Sequence, residues 1–171
     1  ESIHYFSKAI EVATWGEKND LKDLEYLYMS RGRAYELTSK FSEALDNYKE
    51  LENMAIEQRD QEVELAALIA QAQIYSVTSS KFNLELGSSI LKQAEKIAGE
   101  LDDQVTLAKL YWITMNLYRF QESMTIAQEF GEKAIALARE LNLEELLAYS
   151  LNDAAHAYSM NGKVERALEV S

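Results

Sequence analysis

Tyrosines recur along this chain at a nearly constant interval, and each one closes an apolar, helix-like stretch. Tyr35, Tyr75, Tyr118 and Tyr158 are separated by 40, 43 and 40 residues. A period of this length is typical of stacked helical repeats, in which each unit buries its apolar face against the next one. The sequence therefore predicts a repeat architecture, and such arrays commonly serve as extended binding surfaces.

The composition favours an all-α fold. The chain has 171 residues with no proline and only six glycines, so few residues interrupt helices. Apolar spacing predicts helices separated by short breaks, so that consecutive helices pack as antiparallel neighbours. The predicted helices are 1–16, 21–38, 41–59, 61–78, 84–99, 103–120, 123–141, 143–160 and the beginning of one at 163–171.

The tyrosine period divides the chain into repeats. Three complete repeats are predicted at 21–60, 61–102 and 103–142, the second with an insertion between its paired helices, within Thr78 to Glu85. Residues 1–20 carry the second helix of a truncated repeat, and 143–171 form another truncated repeat. Because the chain opens without a methionine and inside an amphipathic segment, we expect it to be a fragment of a longer array.

Small and large residues alternate where the paired helices would cross. Nine residues after Tyr35 comes Ala44, followed by Tyr48 and Leu51, and Gly32 lies three residues before Tyr35. A small residue lets two helices approach closely, and a large neighbour fills the gap beside it. Among the residues three before the late tyrosines, Met115 is the poorest match to this pattern.

This helix-turn-helix pattern, with its small–aromatic–small triplet, resembles the tetratricopeptide repeat (TPR) family across essentially the whole chain. The resemblance implies a right-handed helical-hairpin solenoid. The period exceeds the family's usual length of about 34 residues, and no proline closes a unit. Long-period arrays of this kind resemble those of bacterial signalling and regulatory proteins, and also some eukaryotic polarity adaptors. Another helical-repeat family with a similar period is the alternative.

The charge balance restricts the kind of partner. Seventeen basic and 29 acidic residues give a formal net charge of −12. Because nucleic acids and anionic membranes are bound through Lys and Arg, we expect neither as a partner. The chain has no cysteine and no apolar run long enough to span a membrane, so a cytoplasmic protein is the expectation.

No arrangement of residues predicts catalysis, a metal or a cofactor. The two histidines, His4 and His156, are far apart in the sequence and have no metal-ligand spacing. His156 is interpreted as a surface histidine. Acidic pairs at 102–103 and 144–145 stand where helices begin, and there negative charge complements the helix dipole. We therefore predict that the chain is not an enzyme.

The resemblance to TPR proteins also implies a binding groove lined by the first helix of each pair. Its residues lie nine, six and two positions before the late tyrosine and one position after it. The predicted groove residues are Tyr26, Met29, Arg33, Gln73, Lys109, Trp112, Asn116, Arg119, Tyr149, Asn152 and His156. The remaining groove positions hold Glu36, Ala66, Ile69, Ser76 and Ser159.

The groove set differs from the rest of this acidic chain, because it holds three fixed positive charges and one negative charge. Trp112, Asn116 and Arg119 are spaced by four and three residues and so share one helix face. Aromatic and Arg anchors with amides suit an extended or acidic peptide. The structural interpretation is that Trp112 and Met29 only pack between neighbouring first helices and bind nothing.

The leading hypothesis is therefore a protein-interaction scaffold, part of a larger signalling or transcription regulator. A second hypothesis is a structural spacer that self-associates end to end through its terminal helices. In that case the contacts would be apolar residues expected to be exposed, namely Ile3, Phe6, Ile10, Val164, Leu168 and Val170. A third hypothesis is an array that senses a small molecule.

Overall fold

The structure is a computed structural model that describes residues 1–15, 20–77, 80–119 and 123–160. The described residues contain no strand and form helices α1 (Ser2–Thr14), α2 (Leu21–Leu37), α3 (Phe41–Gln58), α4 (Gln61–Ser76), α5 (Leu84–Glu100), α6 (Gln104–Arg119), α7 (Met124–Glu140) and α8 (Glu144–Met160). The predicted all-α architecture is confirmed, and each of these helices begins and ends within two residues of its predicted limits. The predicted helix at 163–171 lies outside the described residues.

Short polar side chains cap the beginnings of some of the helices. The side chain of Asp20 accepts a hydrogen bond from the backbone N–H of Lys22, at 3.0 Å, and starts α2. Asp103 accepts one from the backbone N–H of Thr106, at 2.9 Å, and starts α6. Each cap satisfies a backbone donor that has no partner within the helix. The interpretation of 102–103 as a helix start is therefore confirmed at Asp103.

Left-handed residues end four of the helices. Their φ angles lie between 54° and 58°, and the residues are Ser39, Arg59, Asp102 and Asn142. After each of them, a backbone N–H bonds to a carbonyl five residues earlier, as from Asp60 to Ala55 at 2.9 Å. This geometry closes a helix within two or three residues. The chain can therefore reverse direction sharply at these points without glycine or proline.

By its internal contacts the chain divides into two compact units, Glu1–Ile74 and Tyr75–Ser171. In unit 1, α1 packs against α2 and α2 against α3, and α4 contributes Val63 and Ala67 to the same core. In unit 2, α6 packs against α5, α7 and α8, and α7 packs against α8. The pairs α2–α3 and α6–α7 confirm two of the predicted helical hairpins. The right-handed superhelical course stays a prediction.

The apolar residues predicted to be exposed on α1 face inward instead, so that expectation is wrong. Ile10 is buried in the core of unit 1, and Ile3 and Phe6 are half-buried. Their spacing of three and four residues places them on the face that α2 covers. The large apolar side chains that are exposed here are Tyr5 and Val12 of α1 and Trp15, which directly follows the helix. Val164, Leu168 and Val170 lie outside the described residues.

Close helix approaches occur where the sequence placed small residues. A Cβ at Gly32 of α2 would collide with the ring of Tyr48 on α3. In unit 2, a Cβ at Gly131 of α7 would come within 2.8 Å of the sulfur of Met115 on α6. Both positions support the prediction that small residues let paired helices cross closely.

The late tyrosines are less uniformly buried than their period predicts. Tyr158 is buried, whereas Tyr35, Tyr75 and Tyr118 are half-buried. All four lie within the last turn of their helices, so this position alone does not account for the difference. Mid-helix tyrosines such as Tyr28 and Tyr48 are buried completely.

Among the described residues, no helix is both long enough and apolar enough to cross a membrane.

Candidate functional site

Seven of the eleven predicted groove residues belong to unit 2 and lie on α6 and α8. Lys109, Trp112, Asn116 and Arg119 follow one another along one face of α6, at spacings of three and four residues. Tyr149, Asn152 and His156 follow the same pattern on α8. Because α6 packs directly against α8, we call the surface formed by these seven residues the α6–α8 face.

A carboxylate that the sequence analysis did not select is at the centre of this face. Oδ2 of Asp153 accepts hydrogen bonds from Nε1 of Trp112 at 2.8 Å and from Nδ2 of Asn116 at 3.2 Å. Oδ1 lies 3.6 Å from Nη1 of Arg119 and accepts a bond from Nδ2 of Asn152 at 3.2 Å. We call these five residues the Asp153 clamp.

The clamp joins α6 and α8, which are both predicted to be first helices of their repeats. Three of its members are on α6 and two on α8, so each of the α6 contacts crosses between the helices. The side chains of Arg119 and Asp153 are only 15% and 18% exposed, and charged hydrogen bonds are stronger in such partly dry surroundings. The clamp therefore holds α6 against α8 and fixes the rotamers of Trp112 and Arg119.

This arrangement changes the expected roles of two predicted groove residues. Arg119 was expected to meet an acidic peptide, but its charge is already balanced by Asp153. Trp112 donates its ring N–H to Asp153 and packs against the core around Met115 and Tyr158. The structural interpretation is therefore supported at Trp112, whose side chain packs and bonds between the first helices α6 and α8.

Asp153 left a weak signal in the sequence. It lies four residues after Tyr149 and three before His156, and so on the same helix stripe as these two predicted groove residues. The family offsets pass over it, because they place groove residues on either side of it. Asp153 is one of seven acidic residues in the forty positions after Arg119, so charge alone would not have singled it out.

The outer part of the α6–α8 face is aromatic. The rings of Trp112 and Tyr149 lie with their centroids 5.9 Å apart and their planes inclined at 30°. Tyr149 is 51% exposed, and its hydroxyl donates to Glu145 at 3.2 Å. Val105, one turn before Lys109 on α6, is also exposed. The two rings and the valine form apolar surface that a ligand could cover.

Lys109 differs from the other predicted cations of the set. It is half-buried on α6, and no ion pair or hydrogen bond joins its ammonium group to the residues that the structure describes. Burial lowers the pKa of Lys109 below its usual value, and no neighbouring carboxylate counters that effect.

The other four predicted groove residues belong to unit 1, where they do not form a comparable cluster. Tyr26 is exposed, Gln73 is half-buried, and Met29 packs against the core. Arg33 lies 2.8 Å from the carboxylate of Glu36, which also accepts a hydrogen bond from the hydroxyl of Tyr48 at 2.6 Å. Burial, with this bond to Glu36, raises the pKa of Tyr48 above its usual value.

His156 is exposed on α8, as predicted for a surface histidine. Within the described ranges, no group of three or more His, Asp or Glu side chains is placed to hold a metal ion.

A scan against protein-family models and a search of curated protein sequences find no match to this chain.

Proposed function

We propose that this chain is a non-catalytic interaction scaffold that binds an extended peptide segment on the α6–α8 face. The observation that carries the proposal is the aromatic pair of Trp112 and Tyr149. One ring of the pair is half exposed and the other is fixed in place by Asp153. Fixed aromatic anchors contribute most to peptide affinity, because little side-chain entropy is lost when they are covered.

The polar groups around the pair also suit a peptide. Asn152 is exposed beside the rings, and an amide side chain can both donate to and accept from a peptide backbone. The side chains of Asp153 and Arg119 balance each other. The α6–α8 face is therefore much less acidic than a chain of net charge −12 as a whole.

In this proposal the array is of the TPR type and serves within a larger signalling or transcription regulator. Its support is the resemblance in sequence, together with the helical hairpins of both units. The side chains of the α6–α8 face have no nucleophile–base arrangement among the described residues, which favours binding over catalysis.

Tyr149→Ala is the sharpest test, because Tyr149 lies outside the Asp153 clamp. Trp112→Ala or Arg119→Ala would remove clamp contacts as well as ligand contacts. We would select binders from a phage-displayed library of random linear peptides and measure their affinity by fluorescence anisotropy. Tyr149→Ala should weaken the selected peptides by about tenfold or more, since it removes half of the aromatic pair.

Tyr5→Ala is the matched control, because Tyr5 is also an exposed tyrosine on a helix but belongs to unit 1. It should leave the affinity unchanged, and both variants should keep the wild-type helical circular dichroism. Failure to select any peptide, or equal losses from both substitutions, would count against the proposal.

Self-association is the second candidate function, and the exposed face of α1 favours it. Tyr5 and Val12 of α1 are 70% and 69% exposed, and Trp15 directly after the helix is 80% exposed. The other face of α1 packs against α2. Such large exposed apolar side chains mark contact surfaces. Sedimentation velocity across a range of concentrations should then detect dimers in the wild type and monomers in Val12→Glu, and a monomeric wild type would exclude this function.

A further inference from the structure

Lys109 occupies an unusual position on the α6–α8 face. It is half-buried and carries a positive charge, yet among the described residues it has no carboxylate partner. The other basic residue of α6 and α8 is Arg119, which is paired with Asp153 at 3.6 Å. A cation removed from water without a counter-charge is destabilised, and an incoming anion relieves that cost.

The residues around Lys109 restrict what the anion can be attached to. Trp112 follows it by three residues on α6 and contacts Tyr149, and the exposed Val105 precedes it by four residues. Residues at these spacings lie on one face of a helix. Along this face, Lys109 therefore lies between an aliphatic side chain and an aromatic pair. A ligand with an acidic residue flanked by apolar residues would complement this sequence of side chains.

A polyanion does not fit this surface. The chain carries a formal net charge of −12, and the face includes the carboxylates of Asp153 and Glu145. Glu145 already accepts the hydroxyl of Tyr149 at 3.2 Å. A strand of nucleic acid would be repelled by the acidic surroundings, whereas a single carboxylate needs only the ammonium group of Lys109.

We propose that Lys109 is a specificity-determining residue, at which the bound peptide places the carboxylate of an Asp or Glu side chain flanked by apolar residues. This inference rests on the proposed peptide-binding function. The lowered pKa of Lys109 is consistent with it, because burial of the ammonium group causes the shift and a bound carboxylate would reverse it.

The test begins with the same phage-displayed library of random linear peptides, selected in parallel on the wild type and on Lys109→Met. Methionine keeps an unbranched side chain and removes the charge. Wild-type binders should be enriched in Asp or Glu next to apolar residues, and Lys109→Met binders should lose that enrichment. Lys92→Met is the matched control, because Lys92 is an exposed lysine on α5 of the same unit, and it should keep the wild-type enrichment.

One selected acidic peptide and its Asp→Asn or Glu→Gln version then complete a double-mutant cycle. The amide version should bind the wild type about tenfold to a hundredfold more weakly, as expected for a lost charged hydrogen bond. Lys109→Met should bind both versions equally, and Lys109→Arg should recover part of the preference for the acid.

The outcomes separate this inference from the function on which it rests. Peptides that depend on Tyr149 but show no acidic preference would overturn the role of Lys109 and leave peptide binding intact. An acidic preference that survives in Lys109→Met would also overturn it. If no peptide is selected on any variant, both proposals fail.

Discussion

The hairpin α2–α3 of unit 1 and the hairpin α6–α7 of unit 2 use the same pair of contact positions. In the first hairpin the large side chain is on the second helix, and in the other it is on the first helix. The residue three before the late tyrosine is Gly32 in α2 and Met115 in α6. The residue thirteen after it is Tyr48 in α3 and Gly131 in α7. In each hairpin the large residue fills the space above the glycine of its partner helix. What is preserved is the combined volume of the pair, because interiors are close-packed.

This exchange of size also redirects the residue that follows the late tyrosine. A buried tyrosine needs a partner for its hydroxyl, and Tyr48 finds it in Glu36, at 2.6 Å on α2 of its own hairpin. Gly131 makes no such demand on α7. The corresponding residue of α6 is Arg119, which reaches instead to Asp153 on α8. The two hairpins thus use this position differently, because Glu36 bonds within its own hairpin and Arg119 pairs with the next first helix.

Exchanging the pair in unit 1 is the strongest test of this comparison. Gly32→Met alone places a long side chain against the Tyr48 ring, and Tyr48→Gly alone removes a buried aromatic at a cost of about 3–5 kcal/mol. The double variant recreates the arrangement of Met115 and Gly131. In urea unfolding, the double variant should lose about 1–3 kcal/mol less stability than the sum of the two single losses. Additive losses would show that volume exchange is not what relates the two hairpins.

A smaller contrast is expected from alanine at three helical glycines. Gly32→Ala should lose about 1–3 kcal/mol of stability, because its Cβ meets the rigid Tyr48 ring. Gly131→Ala should be nearly neutral, since its Cβ meets the flexible end of Met115. Gly99→Ala is the control with no heavy atom within 4 Å of its Cβ, and it should gain about 0.5–1 kcal/mol from helix propensity. Equal changes in the free energy of unfolding in urea for Gly32→Ala and Gly99→Ala would contradict the close approach of α2 to the Tyr48 ring.

The smallest stability losses are expected from contacts between first helices, and these losses should differ between the two units. Lys22 on α2 and Glu62 on α4 form a pair at 2.8 Å that is largely exposed, so Glu62→Ala should cost less than about 1 kcal/mol. Asp153→Ala removes the acceptor of the clamp and should cost about 1–3 kcal/mol. Thermal unfolding of both variants in low and high salt checks this, because the exposed pair should be screened more. A larger loss of stability in Glu62→Ala than in Asp153→Ala would contradict this comparison.

Most of the fold could be predicted from the sequence, because helix formation in this chain depends on local pattern. The spacing of apolar residues and caps such as Asp20 and Asp103 place every described helix within two residues of its predicted limits. The outward and inward faces of α1 were predicted wrongly. Two apolar stripes exist on that helix, and only the position of α2 shows that Ile10 is covered while Val12 is not.

The candidate site was predictable only in part. The repeat period located Trp112, Asn116, Arg119 and Tyr149, which the structure brings together on one face. Asp153 was missed because its role comes from contacts with another helix. The three expected cations also proved unequal, since Arg33 and Arg119 have carboxylate partners and Lys109 has none among the described residues.

The sequence alone determined that this chain is helical, where each described helix begins and ends, and which positions recur from repeat to repeat. These properties depend on interactions between residues a few positions apart, which a linear pattern records. Only the tertiary structure decided that Met115 fills the space above Gly131, that Asp153 pairs with Arg119, and that Lys109 has no carboxylate partner among the described residues. Those outcomes depend on distances between residues far apart in the chain, and they arise only when the helices pack.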